Sequence, residues 1–139
     1  MTDYSKIGYD IIGASFAVRN NTGRGLLEKY YEGALAFELQ NLGYKIERQV
    51  AIPALYQGQE IGEAYRADII VDGKVIIEVK AILSMQGIER SQIYTYLKLS
   101  GLKLGYLINF GVEDFKVGNF FDEREAPFES GIYRIVNNI

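Results

Sequence analysis

The sequence predicts an α/β fold in which a central mixed β-sheet is flanked by helices. Residues 66–80 read as two strands rich in Ile and Val on both faces, joined at Asp72-Gly73. That dipeptide suits the positive φ angles of a hairpin turn. Apolar residues at helical spacing lie before and after this strand pair. Helices around doubly buried strands favour one α/β domain covering residues 1–139.

Two helices are predicted to come first, over residues 4–19 and 25–41, and Gly43 is suited to end the second. The period then changes to a loose alternation over residues 45–50, which predicts an outer strand. We expect this strand to end before Pro53, because proline has no amide hydrogen for a sheet ladder.

The second half of the chain predicts the remaining strands and one more helix. Residues 54–63 fit either a strand or a loop. After the strand pair, a helix is expected over residues 88–99 and a buried strand over residues 103–110. Residues 111–130 are rich in acids and predict an irregular surface loop, and residues 131–136 predict an edge strand.

The composition excludes several classes of chemistry. The 139 residues contain no histidine and no cysteine, so histidine bases, cysteine nucleophiles, disulfides and His- or Cys-ligated zinc are ruled out. A metal would be bound by oxygen, which favours Mg²⁺ or Mn²⁺. A net charge of −3 argues against a protein that coats nucleic acid non-specifically. No signal-peptide pattern or membrane-spanning apolar run is present, so we expect a cytoplasmic protein with no membrane partner.

Three charged residues interrupt the buried strand pair: Asp68, Glu78 and Lys80. Burying unpaired charges is costly, so their presence there suggests a metal and a reaction. Glu78 and Lys80 share a face because side chains alternate with period two. Asp68 reaches that face only if the turn contains an odd number of residues; a two-residue turn would separate the two carboxylates. The other interpretation is a strand whose charged end is solvated.

Three further polar residues could complete a site. Glu28 is expected in the first turn of the second helix, where the helix dipole also favours an acid for structural reasons. Gln92 and Tyr96 are four residues apart on the third helix and therefore share a face. A surface amide beside a core tyrosine would have the same spacing.

Taken in order, these residues resemble the PD-(D/E)xK nuclease superfamily in its RecB-like branch. The likeness rests on Arg-Ala-Asp at 66–68, Glu-Val-Lys at 78–80 and the Gln92 to Tyr96 spacing. Gly25, Glu28 and Tyr31 also resemble the signature of the bacterial GxxExxY proteins, and the likeness extends over nearly the whole chain.

The resemblance implies a restriction-endonuclease-like fold and Mg²⁺-dependent (or Mn²⁺-dependent) cleavage of DNA. It implies that Asp68 and Glu78 bind the metal and that Glu28 completes the set of ligands. Lys80 would orient the attacking water or stabilise charge on the phosphate, and Gln92 would support the site from the helix behind.

Three arginines are candidates for binding phosphate. Arg19 stands where the family usually has a histidine, and it either faces a phosphate or is simply solvated. Arg24 is expected where the second helix begins, and helix N-terminal amides can receive a phosphate. Arg66 immediately precedes the Ala67-Asp68 pair. The chain also departs from the family by an insertion over residues 119–130.

Two alternatives to a nuclease remain open at this point. The same fold could serve as a non-catalytic nucleic-acid-binding or assembly module that works with a partner protein, which the acidic net charge and small size favour. A homodimeric scaffold with an aromatic surface is the other. Intact Asp68, Glu78 and Lys80 favour the nuclease. Whether the DNA is single- or double-stranded is not set by the sequence.

Overall fold

The computed structural model of the chain describes residues 3–119 and 128–137. These residues contain three helices and five strands. No helix within this part of the chain is long and apolar enough to cross a membrane. In chain order the elements are α1 (Tyr4–Thr22), α2 (Glu28–Asn41), β1 (Ile46–Tyr56), β2 (Gln59–Val71), β3 (Val75–Lys80), α3 (Gly87–Ser100), β4 (Leu104–Asn109) and β5 (Ile132–Val136).

The five strands form one mixed sheet in the order β1-β2-β3-β4-β5. Strands β3 and β4 are parallel and are connected through α3, whereas the other neighbours are antiparallel. Every residue of β3 and β4 is buried except Lys80, which is half-buried. Strands this apolar are stable only when both faces are covered. The predicted α/β architecture is confirmed.

Helices cover the two faces of the sheet in separate layers. One core contains residues of α1 and α2 together with alternate residues of the central strands, such as Ile77 and Val79. The other core contains residues of α3 packed against the opposite set, such as Ile76 and Leu107. By alternation along β3, Glu78 belongs with Ile76 on the side of α3. The packing of the helices therefore decides which side chains can reach the acids.

The length of the turn between β2 and β3 decides whether Asp68 and Glu78 lie on the same face of the sheet. Val71 pairs with Val75, which leaves residues 72–74 as a three-residue loop. Asp72 and Gly73 have φ angles of 52° and 66°, and Lys74 N donates to Val71 O over 2.9 Å. Consecutive positive φ angles are the feature that Asp-Gly dipeptides supply in hairpins. The loop has the odd length that the functional interpretation requires.

The prediction that the first strand ends before Pro53 is wrong. β1 runs on to Tyr56, and residues 54–63, which fitted either a strand or a loop, form the outer part of a β1–β2 hairpin. Its pairing shifts register between Ile52 and Pro53. Because β1 is an edge strand, a proline there removes no hydrogen bond that the sheet needs.

Helix α2 starts at Glu28, three residues later than predicted. Gly23 and Gly25 have φ angles of 69° and 95°, which are incompatible with a helix. The segment before α2 is held by Tyr31, whose hydroxyl donates to Gly23 O over 2.7 Å and accepts from Leu26 N at 3.3 Å. The sequence predicted that α2 begins near Arg24, but its first turn begins at Glu28.

The predicted surface loop over residues 111–130 is partly bound to the fold. Phe128 is buried and pairs with Met85 in an antiparallel bridge, and Val117 pairs with Ile132. Most of the predicted insertion at 119–130, namely residues 120–127, lies outside the described residues.

The ends of β3 and β4 are fixed by a close backbone approach at Gly111. The buried Asn109 accepts at Oδ1 from the amides of Ile82 and Gly111, each over 3.0 Å. A Cβ at Gly111 would lie 2.4 Å from Ile82 O and 2.5 Å from Ile82 N. Only glycine lets the segment after Lys80 lie this close to the end of β4.

We expect Gly111→Ala to lower the free energy of unfolding by about 1–3 kcal/mol, because backbone atoms cannot move aside as a flexible side chain can. Gly13→Ala is the matched control: it lies inside α1 with no atom within 4 Å of a built Cβ. That change should raise stability by about 0.5–1 kcal/mol. Urea titrations of the three proteins measure both effects, and equal stability of Gly111→Ala and the wild type would contradict this packing.

Candidate active site

Asp68 and Glu78 meet where β2 separates from β3. Regular pairing between the strands stops at Ile69 and Ile77, and the next position would set Asp68 opposite Glu78. Here side chains replace the ladder: Asp68 Oδ2 accepts from the amide of Val79 over 2.8 Å, and Asp68 N donates to Glu78 Oε1 over 3.4 Å. The two carboxylates are therefore brought together, as the odd-length turn requires.

Glu78 is the most perturbed acid among the described residues. Its residue is only 3% exposed, and burial, followed by the charge of Asp68 and a hydrogen bond to it, raises its pKa to about 10. The charge of Lys80 opposes this rise. Two acids in contact in a buried place cannot both ionise without a cation. In the absence of a cation, Glu78 holds a proton at neutral pH.

Lys80 and Glu28 lie at the margin of this pair. Burial raises the pKa of Glu28, the charge of Lys80 lowers it, and the charges of Asp68 and Glu32 raise it. Lys80 therefore acts on Glu28 and Glu78 alike, as expected of a cation close to both acids. Glu28 as a whole is exposed.

The predicted convergence of three carboxylates on one ion is not seen. Within residues 3–119 and 128–137, no group of three or more acidic side chains is placed to hold a metal ion. Glu28 lies exposed at the start of α2, whereas Glu78 is buried in β3. The structure brings Asp68 and Glu78 together and leaves Glu28 beside them.

Helix α3 supplies the wall next to Glu78. Gln92 Nε2 donates to the hydroxyl of Tyr96 over 2.9 Å, so the two residues share a face as predicted. Burial, and next the charge of Glu78, raise the pKa of Tyr96 to about 12, which keeps its hydroxyl protonated. Gln92 also lines an open cleft of about 510 Å³ together with Lys80 and Tyr65.

A second set of polar residues was missed by the sequence analysis. Glu32, four residues after Glu28, is 4% exposed and accepts from Arg48 Nε over 2.9 Å and from Gln49 Nε2 over 2.7 Å. The same Gln49 nitrogen donates to Asp68 Oδ1 over 3.3 Å. One signal was available in the sequence: Glu32 follows Tyr31 on the apolar side of the helix, where an acid needs partners.

The three candidate phosphate-binding arginines have different environments. Arg19 donates to the carbonyl oxygens of Phe110, Val112 and Glu113 and lies 5.6 Å from the ring of Phe115. It anchors the segment after β4, so we assign it a structural role. Arg24 is exposed and lines a cavity of about 380 Å³ with the segment that follows Lys80. Arg66 is exposed and donates from Nη1 to Gln49 O over 3.0 Å.

Comparison with known proteins gives one match. The family model of the PD-(D/E)XK nuclease superfamily matches residues 5–119, which extend from the second residue of α1 past the end of β4 and include every acid discussed above. The chain belongs to the PD-(D/E)XK nuclease superfamily. No curated protein and no solved structure is significantly similar to it.

PD-(D/E)XK nucleases generally use divalent metals, and the donor atoms of this chain fit such an ion. Asp68 and Glu78 offer only oxygen, the ligand that Mg²⁺ and Mn²⁺ prefer. Burial and then the charge of Asp68 raise the pKa of Glu78, so a proton or a cation beside the two carboxyl groups is favoured. In this PD-(D/E)XK chain these two carboxylates fit a divalent ion, and Glu28 lies beside the pair without belonging to it.

The raised pKa of Glu78 predicts how the stability of the metal-free protein depends on pH. From its ordinary value of 4.5 up to about 10, the folded protein binds more protons at Glu78 than the unfolded chain does. The stability from this group is complete below the unfolded pKa and is lost as pH rises toward 10. Glu78→Gln removes the titrating group, so in EDTA the variant should gain stability relative to the wild type as pH rises from about 5 to 9.

Denaturant titrations at several pH values measure this difference. Glu47→Gln is the matched control, because Glu47 lies on β1, two strands away from Glu78, and its side chain is 45% exposed. It should follow the wild type at every pH. Parallel curves for Glu78→Gln and the wild type would mean that Glu78 is ionised in the folded protein.

Proposed function

We propose that this chain is a Mg²⁺- or Mn²⁺-dependent nuclease that hydrolyses phosphodiester bonds in DNA. The observation that carries the proposal is the contact of Asp68 with Glu78 where β2 leaves β3, with Lys80 two residues further along the strand. Membership of the PD-(D/E)XK superfamily supports a nucleic acid as substrate.

In this proposal Asp68 and Glu78 hold the ion. A bound divalent metal supplies a Lewis acid for the phosphate and lowers the pKa of a bound water. Lys80 provides a positive charge where negative charge grows on the phosphate oxygens, and it needs little rearrangement because it ends a buried strand. Gln92 supports the wall of the cleft through Tyr96.

We further propose that the chain is of the GxxExxY type in the RecB-like branch. The environment of each motif residue supports this. Gly25 adopts a φ of 95°, and Tyr31 ties down the segment around it while stacking on Phe110 at 4.7 Å. Glu28 begins α2, and burial raises its pKa while the charge of Lys80 opposes the rise and that of Asp68 adds to it. The motif thus combines a structural glycine and tyrosine with an acid at the margin of the site.

A non-catalytic nucleic-acid-binding or assembly module remains the second candidate. It is favoured by one observation, that the described residues hold two acids in contact rather than a cluster of three. The net charge of −3 also fits a chain that acts with a partner, either another protein or a second copy. This candidate predicts metal-independent binding and no cleavage.

Incubation of the pure protein with single- and double-stranded DNA, in Mg²⁺ or Mn²⁺ against EDTA, separates the two candidates. RNA of the same sequence tests the choice of DNA. The nuclease proposal predicts fragments only with metal and none from Glu78→Ala. Binding that persists in EDTA, with intact DNA under all conditions, would favour the module.

Lys80→Ala should lower the rate of DNA cleavage by about 10²–10³-fold, the usual effect of removing one charge-stabilising group. Mn²⁺ binding should remain, because an ammonium is no metal ligand. The matched control is Lys74→Ala, in the β2–β3 turn, which should keep the wild-type rate. If Lys80→Ala loses Mn²⁺ binding as completely as Glu78→Ala does, the role given to Lys80 is wrong.

A further inference from the structure

Gln49 in β1 has a backbone conformation that is unusual for a residue with a side chain. Its neighbours Arg48 and Val50 pair regularly with Ile69 and Ala67, so Gln49 falls opposite Asp68 between two ordinary pairs. Its φ angle is 53°, in the left-handed region that favours glycine. The conformation is held in place, because Arg66 Nη1 donates to the carbonyl oxygen of Gln49 over 3.0 Å.

The side-chain amide of Gln49 connects two carboxylates. Its Nε2 has two hydrogens and two acceptors, Glu32 Oε1 at 2.7 Å and Asp68 Oδ1 at 3.3 Å. Both neighbours are acceptors, so the nitrogen rather than the oxygen of the amide must face them. The other oxygen of Glu32 accepts from Arg48 at 2.9 Å, which fixes the distal end of the connection.

Asp68 is thereby held at both of its oxygens. Oδ2 accepts from the amide of Val79, and Oδ1 accepts from Gln49. Glu32 is buried on α2, so its hydrogen bond to Gln49 connects α2 to the gap between β2 and β3. A carboxylate fixed at both oxygens is already oriented, which reduces the ordering that a bound ion would have to impose.

We propose that Gln49, anchored by Glu32, is a positioning residue that orients the Asp68 carboxylate for cation binding. This inference rests on the proposed metal-dependent function and adds to it a residue from β1 that does not contact the ion. Residues that hydrogen-bond to metal ligands typically affect affinity by about 10–100-fold.

A purely structural role for Gln49 makes the opposite prediction. The left-handed backbone at position 49 would accept glycine with relief of strain, so Gln49→Gly should leave the fold intact. If the amide only braced the sheet, this change would not alter the metal affinity of a properly folded protein. Under the positioning role the fold survives and the metal affinity falls.

The experiment compares Gln49→Met, Gln49→Gly and the control Gln57→Met in the full chain. Gln57 is also an exposed glutamine with a positive φ of 50°, but it lies at the tip of the β1–β2 hairpin. Electron paramagnetic resonance of free Mn²⁺ gives the dissociation constant, and thermal melts in EDTA give stability. Both Gln49 variants should raise the Mn²⁺ dissociation constant about tenfold or more. Both Gln49 variants remove a hydrogen-bond partner of the buried Glu32, and only glycine also relieves the positive φ angle, so Gln49→Gly should melt at or above Gln49→Met. Gln57→Met should change neither quantity.

The outcomes separate this inference from the proposed function. A wild type that binds no Mn²⁺ overturns the metal-dependent function and this inference with it. If the wild type binds Mn²⁺ and Gln49→Gly binds it with equal affinity, the role of Gln49 is wrong, whereas the metal-dependent function stands. If Gln49→Met fails to fold, the glycine variant still decides.

Discussion

The contact between Asp68 and Glu78 is the constraint on which the rest of the molecule depends. Burial, followed by the charge of Asp68, raises the pKa of Glu78 to about 10, and the two carboxyl groups repel each other when both are ionised. A chain would gain stability by separating them, yet its strand register and hydrogen bonds bring them together. Such a contact is favourable only when a proton or a cation occupies it.

The surrounding elements hold this unfavourable contact from three sides. The three-residue turn after β2 sets the register, and the amide of Val79 holds one oxygen of Asp68. Helix α3 closes the side of Glu78 with Tyr96, whose hydroxyl is bound by Gln92. On the other side, α2 reaches Asp68 through Glu32 and Gln49. The site is thus built between two helix layers, and neither layer could form it alone.

Much of the fold followed from the sequence because periodicity reports burial directly. The mixed sheet, its three helices and the Asp68–Glu78–Lys80 grouping were predicted from alternation and from charges in apolar strands. Helix α2 was placed too early because spacing alone does not register the positive φ angles of Gly23 and Gly25. Pro53 was taken as a strand end because the register shift beside it is not visible in sequence. Glu32 was missed because residues four apart on a helix share a face, and spacing does not show that Glu32 is the buried one of the two.

The proposed function depends on the binding of a divalent cation by Asp68 and Glu78. Crystals of the protein soaked in Mn²⁺, with anomalous scattering collected at the manganese edge, test it most directly. Cation binding by this pair predicts one strong peak bonded to carboxylate oxygens of both Asp68 and Glu78, and its loss in Glu78→Gln. A peak elsewhere, or none at saturating Mn²⁺ with the two carboxyl groups still hydrogen-bonded to each other, would contradict it.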